Sequence, residues 1–258
     1  MSGLIVERHG PVLLLIIDRE ERRNAIDSET SAAIDSHIGL AESNDSIGAI
    51  IITGSGERAF CAGMDMKEAA EIGVGHGLIP GRGFAGITER RRTKPLIAAV
   101  NGMAVAGGFE IALACDIVIA ADHAMFGLSE VKRGLFAFAG GVQRLARQVP
   151  RSTALSMILT GEPLSATRMY GLGVISEIVP SAQLRQRALD VAHAMLQNSW
   201  EAIRNGKLLY EMAADMPIDQ SLRFGRAFGE ATLKSADSQE GVAAFSQGRD
   251  ATFCRFQS

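Results

Sequence analysis

The chain has few cysteines and lacks a long uninterrupted apolar run. Among its 258 residues only three are cysteines, Cys61, Cys115 and Cys254, which are widely separated and form no CxxC pair. This pattern argues against a disulfide framework and a zinc site, and it favours free thiols in a reducing compartment. No stretch approaches the roughly 20 apolar residues of a membrane-spanning helix. We therefore predict no metal centre and no membrane partner.

The chain also lacks a strong excess of either charge. Its formal net charge is −3, and its isoelectric point is near 6.0, which disfavours a nucleic-acid partner. The N-terminus has too short an apolar stretch for a secretion signal, and its acidic residue is unlike a transit peptide. We expect a cytoplasmic protein. The 47% of hydrophobic residues can form a core large enough for a buried site.

What is present is an alternation of strand and helix patterns. Leu4 to Arg8 and Val12 to Asp18 flank a turn and predict a β-hairpin. Asp27-Ser28 is a typical start of a helix, and Ala49 to Thr53 predicts a short buried strand. This order indicates an α/β fold with buried sheets. From Ala182 to the C-terminus the pattern predicts one helix after another.

The stretch from Pro95 to Glu130 combines core-like residues with two carboxylates. A strand ending at Val100 is followed by Gly107-Gly108, which leads into a predicted helix. Backbone N–H groups at such a helix start are unpaired, and the helix dipole adds positive potential. An anionic or strongly polarised oxygen could be held there, with Glu110 and Glu130 nearby.

A glycine-rich segment precedes this stretch. Residues 72–86 contain six glycines and Pro80, a composition typical of functional lids, binding loops or mobile segments. Arg82 and the run Arg90-Arg91-Arg92 form a basic cluster beside it. We predict that this cluster is a solvated helix face, because runs of charge usually are.

Segments along nearly the whole chain resemble the crotonase (enoyl-CoA hydratase/isomerase) superfamily. They share order and spacing, and they comprise Arg23 to Ala25, Phe60 to Glu68, Ala98 to Ala120, Phe126 to Gly134, Gly140 to Leu145, Leu159 to Ala166, Gly171 to Pro180 and Glu240 to Asp250. Within the family, residues 24–27, 83–89, 107–114 and 215–223 look most like carnitinyl-CoA dehydratases.

The resemblance implies an α/β crotonase fold, a ClpP-like spiral of ββα repeats with C-terminal helices that trimerise. It divides the chain into a spiral core, residues 1–195, and a helical region, residues 196–258, for oligomerisation and cover of the active site. The expected assembly is a homotrimer or a dimer of trimers. The expected substrate is an acyl-CoA thioester, with no cofactor beyond the CoA that the substrate carries.

The resemblance also implies catalytic roles for the residues noted above. The N–H groups of Met64 and Gly107 would form an oxyanion hole for the thioester carbonyl, where an enolate develops. Glu110 would orient and activate water, and Glu130 would deliver a proton to Cα. Two acids in one partly dry pocket tend to have pKa values that differ, which permits this division of labour.

Binding residues follow by the same resemblance. Ala62, Met64, Asp65 and Met66 match the adenine-binding loop, and Lys67 and Arg22 are candidates for the CoA phosphates. Candidate residues of the acyl pocket are Phe84, Phe136 and Phe138. Two departures from the family pattern concern binding: Ala137-Phe138 replaces a common Pro-Gly, and a lysine that often reaches the nucleotide is replaced near Gly248.

Several functions remain open or are excluded at this point. The main expectation is syn hydration of a 2-enoyl-CoA, and the alternatives within the family are carnitinyl-CoA dehydration, Δ3,Δ2-enoyl-CoA isomerisation and a non-catalytic scaffold or RNA-binding role. Retention of Glu110 counts against the isomerase, and the acidic isoelectric point and intact acid pair count against the scaffold. A dinucleotide-binding oxidoreductase is rejected because Gly107-Gly108 is not a GxGxxG motif. A serine hydrolase is unsupported because the chain contains no GxSxG.

Overall fold

A computed structural model describes residues 3–253 and 255–256 of the chain. Cys254, predicted to be a free thiol, lies outside the described residues, whereas Cys61 and Cys115 are free cysteines as predicted. No helix in the described ranges is long and apolar enough to cross a membrane. Within the same ranges, no cluster of three or more His, Cys, Asp or Glu side chains has the arrangement of a metal site.

The strands form two main sheets and a two-stranded ribbon. The described strands are β1 (Leu4–His9), β2 (Val12–Ile17), β3 (Ala49–Gly54), β4 (Ala59–Cys61), β5 (Leu78–Ile79), β6 (Gly83–Phe84), β7 (Leu96–Val100), β8 (Met103–Val105), β9 (Ile117–Ala121), β10 (Met125–Gly127), β11 (Leu164–Ser165) and β12 (Glu177–Val179). The larger sheet has the order β1-β2-β3-β7-β9-β12, and the smaller one has the order β11-β10-β8-β4. The ribbon pairs β5 with β6.

Ten α-helices lie in the described residues. They are α1 (Ser28–Ser43), α2 (Met66–Ile72), α3 (Gly107–Ala114), α4 (Gly141–Gln148), α5 (Arg151–Thr160), α6 (Ala166–Gly171), α7 (Leu184–Leu196), α8 (Trp200–Ala213), α9 (Ile218–Thr232) and α10 (Ala236–Gln247). The predicted start of the first helix is correct, since the Asp27 side chain accepts a hydrogen bond from the N–H of Thr30 at 2.8 Å. The predicted succession of C-terminal helices is also correct.

The chain winds as a spiral in which consecutive strands enter different sheets. In the units β3-β4-α2, β7-β8-α3 and β9-β10-α4, the first strand joins the larger sheet and the second joins the smaller one. Apart from the β1-β2 hairpin, neighbouring strands of the larger sheet are parallel. Parallel strands are covered on both faces, which explains why β3 and β7 are fully buried apolar runs. The ββα repeats confirm the expected fold class.

The basic cluster differs from its prediction as a solvated helix face. Arg90 to Arg92 adopt no helix, and Arg90 donates to the carboxylate of Asp35 at 2.7 Å. Arg92 is only 7% exposed and donates to the carbonyl oxygen of Ala114 at 2.5 Å. Ala114 ends α3, so Arg92 satisfies a carbonyl that the helix itself leaves unpaired.

Lys94 satisfies carbonyl groups at the end of another helix. It is 3% exposed, and its Nζ donates to the carbonyl oxygens of Ala41 and, at 2.6 Å, of Asn44. Lys94→Met would leave these carbonyls without the ammonium donor. We expect the variant to lose about 1–3 kcal/mol of unfolding free energy, measured by urea titration at a fixed protein concentration.

Lys132→Met is the matched control for this prediction. Lys132 forms an exposed ion pair with Glu162 at 2.6 Å, and such pairs contribute about 0–1 kcal/mol. Equal losses for the two variants would contradict the helix-end role of Lys94.

Candidate active site

One cavity of about 320 Å³ brings the predicted site residues together. All twelve line it: Arg22, Ala62, Met64, Asp65, Met66, Lys67, Phe84, Gly107, Glu110, Glu130, Phe136 and Phe138. Eight further residues line the cavity and had no predicted site role: Arg23, Ala25, Gly75, Leu78, Ala106, Arg133, Leu135 and Ala139. Most of these are apolar or small and carry no chemical signal, but the position of Arg133 three residues after Glu130 could have drawn attention to it.

The start of α3 forms one wall of the cavity. Ala106 precedes the helix with φ 52° and ψ −131°, an unusual backbone conformation for a residue with a side chain. Gly107 and Gly108 follow because the helix start is tightly packed: a Cβ on Gly107 would lie 2.5 Å from Cε1 of Phe84, and one on Gly108 would collide with the carbonyl of Cys61. As the first residue of the helix, Gly107 has no intrahelical acceptor for its N–H.

The loop that carries Met64 packs against this helix start. The N–H of Ile26 donates to the carbonyl of Gly63 at 2.7 Å, and the N–H of Asp65 donates to the carbonyl of Ile26 at 2.8 Å. This bridge involves both neighbours of Met64 and leaves the N–H of Met64 itself without a recorded acceptor among the described residues. A Cβ on Gly63 would lie 3.0 Å from the backbone nitrogen of Gly107, so the two unpaired N–H groups belong to adjoining segments.

Glu110 lies in the first turn of α3 and is only 4% exposed. Its Oε1 accepts a hydrogen bond from the N–H of Gly141 at 2.9 Å. The pKa of Glu110 is raised to about 7, chiefly by burial; the nearby charge of Glu130 also raises it, whereas hydrogen bonds from the backbone N–H groups of Gly141 and Ala139 and the charge of Arg144 lower it. The carboxyl can therefore gain or lose a proton near neutral pH.

Glu130 begins a 3₁₀ helix, Glu130–Arg133. Its Oε2 is buried and has no hydrogen-bond partner among the described residues. Burial raises the pKa of this carboxyl, and the positive charge of Arg133 acts in the opposite direction. An oxygen that is buried and unpaired is available to a bound molecule. Both acids thus have pKa values above those of solvated glutamates.

The residues predicted to contact CoA lie around the start of α2. Arg22, Met66 and Lys67 are exposed at the cavity. The Asp65 carboxylate is engaged: it accepts from the N–H of Lys67 at 3.0 Å and from Arg19 at 2.9 Å. Burial would raise its pKa, but these hydrogen bonds lower it overall. The Asp65 side chain therefore caps α2, and its backbone is engaged as well, because its N–H donates to the carbonyl of Ile26 and its carbonyl accepts from the N–H of Ala69.

The aromatic residues of the cavity differ in exposure. Phe84 is 5% exposed and packs over Gly107, whereas Phe136 and Phe138 are 61% and 47% exposed. The latter two rings form an edge-to-face pair with centroids 5.8 Å apart. They form an apolar rim beside Glu130, on the wall that carries Arg133 and Leu135.

The cavity of this ββα spiral contains two N–H groups that are unpaired among the described residues, the buried carboxyl of Glu110 and the half-buried carboxyl of Glu130. These are the features of an enzyme that stabilises an oxyanion and moves protons. Residues 7–255 match the family described as enoyl-CoA hydratase/isomerase. The chain belongs to this family, which is also called the crotonase family.

Individual relatives support the same assignment. The carnitinyl-CoA dehydratase of Salmonella typhimurium is 36% identical over 254 residues, 96% of this chain and 97% of the relative. The crystal structure of enoyl-CoA hydratase from Mycobacterium tuberculosis has a TM-score of 0.91 at 33% identity and covers 97% of this chain and 98% of its own. The carnitinyl-CoA hydratase of Mycobacterium avium has a TM-score of 0.78 at 41% identity and covers 98% of this chain and 99% of its own. These matches confirm the family, the fold class and the enzyme type predicted from the sequence, a hydro-lyase of the enoyl-CoA hydratase kind.

Proposed function

We propose that the chain catalyses the reversible syn addition of water across the 2,3-double bond of a 2-enoyl-CoA thioester. The observation that carries this proposal is the combination, in one cavity, of the buried carboxyl of Glu110, the half-buried carboxyl of Glu130 and two backbone N–H groups that lack acceptors among the described residues. Hydration needs both: negative charge develops on the thioester oxygen while a water proton is removed and a proton is added at Cα.

Each residue has a specific task in the proposed mechanism. The N–H groups of Met64 and Gly107 donate to the thioester oxygen and stabilise the enolate. Ionised Glu110 takes a proton from water as the water oxygen bonds to Cβ. Protonated Glu130 gives its proton to Cα as the enolate collapses, and proton transfer between the acids and solvent restores the starting state. Dehydration follows the same steps in reverse.

Binding and assembly complete the proposal. Arg22 and Lys67 would pair with CoA phosphates, and the backbone of residues 62–66 would contact the adenine. Residues 1–195 would form the catalytic core, and residues 196–258 would cover the site and assemble a homotrimer or a dimer of trimers. Large exposed apolar side chains in this region, among them Tyr210, Leu222 and Phe245 at 81%, 65% and 89% exposure, support such an interface. We propose a cytoplasmic location and no cofactor beyond the CoA of the substrate.

Carnitinyl-CoA dehydration is a second candidate with the same chemistry. The names of the relatives from Salmonella and Mycobacterium avium favour it. Its substrate would carry a trimethylammonium group, and aromatic faces such as those of Phe136 and Phe138 can bind such a cation. Hydration rates with crotonyl-CoA and crotonobetainyl-CoA, followed through loss of the conjugated thioester absorbance, distinguish the two candidates.

The pKa of Glu110 predicts how hydration depends on pH. Glu110 must be ionised to accept the proton of water, and its pKa is raised to about 7. We therefore expect kcat/KM for crotonyl-CoA to fall about tenfold per pH unit below 7, and to fall again on the alkaline side, where Glu130 loses the proton that it gives to Cα. A wild-type protein that hydrates neither substrate at any pH between 6 and 9 would overturn the proposed function.

Substitution of Arg144 tests whether the fall in kcat/KM at low pH, the acid limb of the profile, is due to Glu110. Its guanidinium donates to the carbonyl of Thr88 at 2.6 Å, and its charge lowers the pKa of Glu110. Arg144→Gln should move the acid limb to higher pH, and Arg147→Gln, which removes an exposed arginine of the same helix, should leave it in place. An unchanged limb in Arg144→Gln would contradict the assignment of that limb to Glu110.

A further inference from the structure

Arg133 differs from the other cations of the cavity in where it lies. Arg22 and Arg23 belong to the segment that contacts the 62–64 loop, where the N–H of Ala62 donates to the carbonyl of Arg23 at 3.1 Å. Lys67 lies in the first turn of α2 on the same side. Arg133 instead ends the 3₁₀ helix that Glu130 begins. The cavity therefore has a cation on the wall that carries its proton donor.

The helix geometry directs Arg133 toward the region beyond Glu130. In a 3₁₀ helix, residues i and i+3 lie one above the other on the same face, so the side chains of Glu130 and Arg133 share a face. Both line the cavity, and the residues that follow, Leu135 and Phe136, line it as well. Since Glu130 would serve Cα of the substrate, we infer that Arg133, on the same face, faces the acyl part of the substrate.

The charge of Arg133 acts on the carboxyl of Glu130, whose pKa it lowers, but Arg133 forms no ion pair within the described part of the chain. No hydrogen-bond acceptor or ion-pair partner is recorded for its guanidinium, and the Oε2 of Glu130 is also unpaired. Its neighbour Lys132, in contrast, pairs with Glu162 at 2.6 Å. A planar guanidinium without a partner matches the geometry of a carboxylate, which it binds with two parallel hydrogen bonds.

We propose that Arg133 is a specificity-determining residue that selects 2-enoyl-CoA substrates whose acyl group ends in a carboxylate. This inference rests on the proposed hydratase function and names the substrate class of the same site. A carboxylate at the far end of a short acyl chain would pair with Arg133. The pair would lie at the apolar rim formed by Phe136 and Phe138, where the cavity meets solvent. A trimethylammonium group in that position would meet a like charge, so the specificity differs from that named for the carnitinyl relatives.

Three substrates with different terminal charge test the proposal: glutaconyl-CoA, crotonyl-CoA and crotonobetainyl-CoA. We expect the wild type to hydrate them in that order of kcat/KM, with steps of about tenfold, as for a charge-assisted hydrogen bond in a partly exposed site. Arg133→Gln should remove most of the advantage of glutaconyl-CoA, and Arg133→Glu should reverse the order of the two charged substrates. Lys132→Gln, in the same 3₁₀ helix and outside the cavity, should keep the wild-type order.

The outcomes separate this inference from the proposed function. A wild type that hydrates all three substrates without a preference for the carboxylate would overturn the role of Arg133 alone. Equal losses of kcat/KM on all three substrates in Arg133→Gln would also overturn it, because they would indicate a contact with the shared CoA moiety. If the wild type hydrates none of the three substrates, the hydratase proposal itself, on which this inference rests, is wrong.

Discussion

Glu110→Gln and Glu130→Gln should each lower kcat for crotonyl-CoA hydration by about 10²–10⁴-fold, the usual contribution of a positioned acid or base. Glutamine keeps the size of each side chain but cannot act as a general acid or base. The Glu110 site can keep its hydrogen bond from the N–H of Gly141, because a glutamine oxygen also accepts. Loss of rate should therefore occur without loss of fold, which thermal unfolding can verify.

The two acids can be separated by a reaction that needs only one of them. A saturated acyl-CoA has no double bond to hydrate, but its Cα protons can exchange in heavy water through the enolate. We expect Glu130→Gln to abolish this exchange and Glu110→Gln to reduce it much less. Glu71→Gln, exposed on α2 and outside the cavity, is the control. If both active-site variants hydrate near the wild-type rate, the proposed mechanism is wrong.

Local sequence patterns predicted much of the fold because the buried strands are continuous runs of apolar residues. The apolar run around Ala49–Gly54 and the one around Leu96–Val100 are both buried central strands. The last predicted strand, Val174 to Val179, is shorter than its alternating pattern suggested and spans Glu177–Val179. The pattern of apolar residues could not show that successive strands enter two different sheets, since that depends on contacts between distant segments.

Charge patterns were less informative than apolar ones. The run Arg90 to Arg92 has the composition of a solvated surface, but Asp35 and the carbonyl of Ala114 provide partners for two of its members. Both partners are distant in sequence, and the long aliphatic stem of arginine can be buried while its head is paired. Whether an arginine side chain is solvated or stabilises the fold therefore depends on acceptors that are distant in the sequence.

The candidate site was predictable where its residues are neighbours in sequence. Gly107 and Glu110 share the first turn of one helix, so their proximity follows from helix geometry. The loop of Met64 adjoins Gly107 through Gly63 and is held by Ile26, contacts between distant segments, so the role of Met64 was inferred from family resemblance. For Asp65, the resemblance predicted a place in the loop that contacts CoA but could not show that the side chain caps α2.

The close packing at Gly107 predicts a second large effect on catalysis. A Cβ at this position would lie 2.5 Å from Cε1 of Phe84, and real side chains do not tolerate such an approach. Gly107→Ala should therefore displace the helix start or the ring and misplace the N–H that is proposed to bind the enolate oxygen. We expect kcat for crotonyl-CoA to fall about 10²–10³-fold, comparable to removal of one oxyanion-hole donor.

A double variant tests whether the ring causes this loss. Phe84→Leu shortens the side chain that opposes the new methyl group, so Gly107→Ala combined with Phe84→Leu should be more active than the product of the two single effects predicts. Gly171→Ala, at a helix position where an added Cβ meets nothing within 4 Å, should leave kcat unchanged. Wild-type kcat in Gly107→Ala would contradict this prediction, because it would show that the added methyl group does not misplace the N–H of residue 107. If the losses of kcat in the two single variants simply multiply in the double variant, the steric explanation is wrong. The contact between the new methyl group and the Phe84 ring would then not be what misplaces the N–H of residue 107.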